Sequence, residues 1–73
     1  MVTISVYYSN ATHELGYNVA IVDNGRTVFT KERLGDDPGE AAAHAIKYQA
    51  RYPRSKIIGC KDVMDLVQYA TSE

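Results

Sequence analysis

The residues capable of chemistry fall into two runs. From Gly35 to Glu40 the chain carries Asp36, Asp37 and Glu40 and no base. From Ala41 to Lys61 it carries Lys47, Arg51, Arg54, Lys56 and Lys61 and no acid. Bases at that density, with Tyr48 and Tyr52 among them, have the chemistry of a nucleic-acid surface: cations for phosphates, rings for stacking on bases. A helix running through the segment explains part of the same pattern, because its dipole favours acid at the start and base at the end. Helical spacing groups Lys47 with Arg51 and Tyr48 with Tyr52, so the rings can equally belong to a core. The only histidines, His13 and His44, lack the spacing of a zinc site. The sequence has no glycine-rich phosphate loop, and nothing singles out a Ser or Cys beside a base as an activated nucleophile. No cofactor is expected.

The elements that must position these residues are legible from periodicity. Val2, Ile4, Val6 and Tyr8 alternate with Thr3, Ser5 and Tyr7, the period of a half-buried strand. Tyr17 to Val22 is apolar on both faces, as suits a central strand. Asp23-Asn24-Gly25 then marks a tight hairpin into Thr27–Thr30, since Asn and Gly tolerate the positive φ such turns need. Asp37 and Pro38 open a helix with Glu40 in capping-box position. Its expected apolar stripe is Ala42, Ala45, Ile46 and Ala50, and Pro53 ends it. Lys56–Cys60 reads as a short strand, with Cys60 a small buried side chain. Asp62 is expected to cap a second helix with Val63, Leu66, Val67 and Ala70 on one stripe.

The order strand-strand-strand-helix-strand-helix gives an α/β fold of the α+β kind: a mixed four-stranded sheet packed by two helices. Seventy-three residues make one small domain, 1–73, with a narrow stability margin that a partner or a second copy would widen. Its 45% hydrophobic and 23% charged residues exclude a disordered composition. A net charge of −1 exerts no global pull on nucleic acid or anionic membranes. Without a membrane-length apolar run or a signal-like N-terminus, the cytoplasm is the default location, and Asn10-Ala11-Thr12 reads as a chance glycosylation match.

In this order and in its helix entries the chain resembles the ribonuclease H-like fold. Asp36-Asp37-Pro38-Gly39-Glu40-Ala41 is similar to that family's acidic helix entry. Ile57-Ile58-Gly59-Cys60-Lys61-Asp62 is similar to its fourth strand, which often ends in an Asp leading to a helix. The resemblance implies Glu40 and Asp62 as metal-binding carboxylates of a nuclease. It also implies an acid closing the first strand, where Tyr8-Ser9-Asn10 stands instead. Two divalent ions require an anionic oxygen cage to activate water, and a neutral third position weakens it. The chain likewise resembles HicB-type antitoxins, which carry a truncated form of this fold; Pro38-Gly39-Glu40-Ala41 matches their helix entry. That implies a small, catalytically empty module that works by binding.

The leading expectation is therefore a non-catalytic, regulatory interaction module for a protein partner, dimerising through a sheet edge. Tyr7, Tyr48 and Tyr52 are its candidate interface residues. The alternatives are a nucleic-acid binder using Lys47, Arg51, Arg54, Lys56 and Lys61, and a metal-dependent nuclease using Glu40 and Asp62.

Overall fold

A computed structural model of the chain describes residues 1–10 and 15–71. His13 and most of the Asn10-Ala11-Thr12 match lie outside the described residues. Strand β1 spans Val2–Ser9, β2 Gly16–Asp23 and β3 Arg26–Lys31. Helix α1 spans Pro38–Arg51, β4 Lys56–Ile58 and α2 Lys61–Thr71. The sheet order is β3-β2-β1-β4, with β4 parallel to β1 and the other pairings antiparallel. This is an α+β fold with a mixed sheet and helices that pack against each other on one face of it.

Alternation decides which side chains meet the helices. The register aligns Ile4 with Ile21 and Ile57, and Val6 with Val19. With Ala41, Ala42, Ala45, Tyr48, Val63 and Val67 these form the core. Alanines let α1 lie close to the sheet, and Tyr48 fills the space at its edge, meeting Phe29 edge-on at 5.4 Å. The stripe of α1 is thus Ala41, Ala42, Ala45 and Tyr48, while the expected member Ala50 is exposed. In α2 only Val63 and Val67 are buried; Leu66 and Ala70 face solvent, because a helix at the margin of so small a sheet has only a narrow covered stripe.

The hairpin turns on Asn24 and Gly25, both at positive φ, and a bulge follows. Val28 is the extra residue opposite Ile21 and Val22. After β3 the chain returns along β2, where Tyr17 N donates to Gly35 O and Leu34 N donates to Tyr17 O. Asn18, fully buried, holds this return by accepting from Arg33 N while its amide donates to Gly16 O. Gly16, at φ +100, lets the two backbones touch: a Cβ there would lie 2.6 Å from Gly35 O.

Asp37 caps α1, its carboxylate accepting from Gly39 N at 2.9 Å, with Pro38 first in the helix. At α2 the expectation fails by two residues. Met64 N donates to Cys60 O, and the helix begins at Lys61, so Asp62 sits inside the first turn rather than at the cap. Its charge still favours that turn through the dipole. Cys60, expected to be buried, is exposed, because β4 stops at Ile58 and Gly59-Cys60 has left the sheet.

Candidate functional site

Strand direction sends the two charge runs to opposite ends of the molecule. α1 starts beside the end of β1 and runs back toward its beginning, and β4 starts where α1 has ended. One pole therefore gathers Asp36, Asp37, Glu40 and Asp62, and the other gathers Arg26, Arg51, Arg54 and Lys56.

At the acidic pole, Tyr8 occupies the end of β1. Its hydroxyl donates to Asp36 Oδ1 at 2.7 Å, and its ring meets Tyr17 edge-on at 5.1 Å. The hydrogen bond to Asp36, some desolvation and the negative charge of Asp36 raise the pKa of the Tyr8 phenol. That of Tyr17 is also raised, by desolvation first, then by hydrogen bonding to Cys60 and the charges of Cys60 and Asp62. Glu40 turns its carboxylate toward His44, with Oε2 3.9 Å from Nδ1 one helical turn on. Among the described residues, no three of His, Cys, Asp and Glu come together as a metal-holding group. The donors do not fit a pair of hard divalent ions: the first strand offers a phenol already committed to Asp36, and the neighbouring group is a thiol, a soft ligand.

At the basic pole, Arg51, Tyr52, Pro53, Arg54 and Ser55 line a cavity of about 550 Å³ with Met1 and Val2. Lys56 lines a second, neighbouring hollow with Gln49, Ile57 and α2. The described residues show no ion-pair partner for Lys47, Arg51, Arg54 or Lys56. Lys61 is not with them. It belongs to the acidic pole, where its ammonium donates to Asp65 at 2.8 Å, a bond that raises its pKa.

The tyrosines also separate. Tyr48 is buried and contributes to the core, a correction to its candidacy as an interface residue. Tyr52 is half-buried against the same core. Tyr7 is exposed, on the sheet face away from the helices. That face was not singled out from sequence. By register it carries Thr3, Ser5 and Tyr7 of β1, Asn18, Ala20 and Val22 of β2, Thr27 and Thr30 of β3, and Lys56 and Ile58 of β4, with Asn18 and Ala20 buried. Lys56 is the single charge among these, in a chain with 23% charged residues, and Ile58 is 43% exposed. The clue was present in the strands themselves: the non-core phase reads Thr, Ser, Tyr in β1 and Asn, Ala, Val in β2, where a solvated face would carry Lys and Glu.

The two sheet edges differ from this face. β3 is interrupted by its bulge and carries Arg26 and Lys31 at its two ends, devices that discourage strand pairing. β4 is three residues long. No helix of the described residues is long and apolar enough to cross a membrane. No family model and no curated protein matches the chain.

Proposed function

We propose that this chain is a non-catalytic interaction module and that its open sheet face receives a protein partner. The observation that carries the reading is the near-absence of charge on the sheet face away from the helices, where Tyr7, Thr30 and Ile58 are exposed and Asn18 and Ala20 are already buried. Depletion of charge at the centre of a surface, with an aromatic residue present, is the compositional mark of a protein interface. The resemblance to truncated ribonuclease H-like binding modules agrees with it, as does the poor fit of the acidic pole to divalent metal. The regulatory role expected from sequence belongs to the same proposal.

The test is a paired capture from the native cell. Thr30→Lys/Ile58→Lys places two charges on exposed positions of the face without touching the core. A partner retained by the wild-type chain should be lost by this variant and kept by Arg51→Gln/Arg54→Gln at the basic pole. Cleavage of an RNA–DNA hybrid in Mg²⁺ or Mn²⁺, abolished by Glu40→Gln, would instead establish a nuclease and end the proposal.

A second reading has one specific observation in its favour: Arg51, Arg54 and Lys56 share a pole, beside Tyr52 and Pro53, with no ion-pair partner among the described residues. On that reading single-stranded nucleic acid binds at the basic pole. Its affinity falls steeply with salt, and Lys61→Gln leaves it unchanged.

A further inference from the structure

We infer that the open sheet face takes a second copy of this chain, forming a two-fold dimer with the sheets stacked face to face and the helices outside. The inference rests on the reading of that face as a binding surface and names its occupant.

Three observations support a second copy. First, a face with one sign of charge repels itself, whereas this one, with Lys56 alone near its rim, is self-compatible. A two-fold interface presents the same patch on both partners, so self-compatibility is the condition it must meet.

Second, the charges of the two poles agree with one arrangement. Of the seven acids among the described residues, only Asp23 lies at the end that holds Arg26, Lys47, Arg51, Arg54 and Lys56; the other six face Lys31, Arg33 and Lys61, leaving that end net negative. A two-fold axis in the plane of contact and perpendicular to the strands sets each basic pole beside the partner's acidic pole. An axis along the strands sets like beside like. Electrostatics therefore favours the antiparallel stack and suppresses the alternative.

Third, the area is adequate. Strands about 4.8 Å apart, of 8, 8, 6 and 3 residues at about 3.3 Å each, give a face of roughly 400 Å² in plan. Two such faces remove on the order of 1,000 Å² of accessible surface from water, the lower end for specific association. Sheets stacked at about 10 Å, as in a β-sandwich, would enclose Tyr7, Val22 and Ile58. The edges offer less: β3 is broken by Val28, and β4 has only three residues to offer a further strand.

The test is sedimentation equilibrium of the full chain from micromolar to millimolar concentration. The wild-type chain is expected to shift from monomer to dimer mass, with no higher species. Thr30→Lys/Ile58→Lys is expected to raise the dissociation constant at least about tenfold, with an unchanged circular dichroism spectrum. Raising salt should weaken the wild-type dimer only a few-fold, since the centre is uncharged and only the poles are screened. A chain that stays monomeric throughout overturns the second copy, while partner loss by the same variant in the capture experiment would still support the binding face. Equal dimerisation by the double-lysine variant also overturns it, placing the contact elsewhere.

Discussion

Substituting Gly16 by alanine tests how the return of the chain after β3 is built. Gly16 adopts φ +100, and an added Cβ would stand 2.6 Å from Gly35 O, against an ordinary contact of at least 3.4 Å. The left-handed conformation alone costs a non-glycine residue about 1–2 kcal/mol. Relieving the contact requires the 34–35 backbone to withdraw, which strains the Tyr17 N to Gly35 O and Leu34 N to Tyr17 O bonds, at 2.8 and 2.9 Å. Each contributes on the order of 1 kcal/mol, so the full loss is about 3–4 kcal/mol. Seventy-three folded residues carry roughly 4–11 kcal/mol of stability, so the variant should be near the limit of folding. The control is Gly25→Ala, at φ +83 with nothing within 4 Å of the added methyl, where only the conformational cost of about 1–2 kcal/mol applies. Gains from a stiffer unfolded chain are common to both and cancel. Thermal unfolding followed by circular dichroism should place Gly16→Ala about 8–16 °C below Gly25→Ala, at about 4–8 °C per kcal/mol for a domain of this size. Equal midpoints for the two variants would refute the close approach of Gly16 to Gly35.

Other consequences are local. The Ser55 hydroxyl is buried with no hydrogen-bond partner among the described residues, so Ser55→Ala should be neutral or stabilising by up to about 1 kcal/mol, read as an unchanged or raised urea midpoint. Asp37→Ala removes the cap of α1 and should cost about 1 kcal/mol in the same assay, whereas Asp62→Ala, inside its helix and away from the cap, should cost less. Tyr8 and Tyr17 have raised phenol pKa values, so absorbance titration should show late-ionising phenol, and one equivalent less of it in Tyr8→Phe. Because the fold favours the protonated phenol, this contribution to stability is complete below pH about 10 and is lost as pH rises through the raised folded values. Unfolding in alkali should therefore shift less with pH in Tyr8→Phe.

Much of the fold was legible because local signals agreed with one another. Alternation in Val2–Tyr8, the Asn24-Gly25 turn and the Asp37-Pro38 helix entry each follow from near-neighbour chemistry, and each element lies where those signals put it. The misreadings depend on what lies across space. Tyr48 and Ala50 differ in burial because Phe29, on the sheet edge, supplies a neighbour for one and nothing covers the other. Cys60 and Asp62 were misplaced by the early end of β4, which no residue type announces. Lys61 adjoins the basic run in sequence, yet strand β4 carries it to the opposite pole. The open face was hidden for a different reason. Composition shows which strand phase is polar, but only the placement of both helices on one side shows that the other phase stays uncovered.

The most direct measurement of the central claim is a map of amide chemical shifts between dilute and concentrated chain, repeated on addition of a captured partner. Changes confined to Thr3, Ser5, Tyr7, Ala20, Val22 and Ile58 are the expected result, marking the uncharged sheet face as the surface of association. Changes gathered instead around Arg51 and Arg54, or around Glu40 and Asp62, would contradict it and assign binding to one of the charged poles.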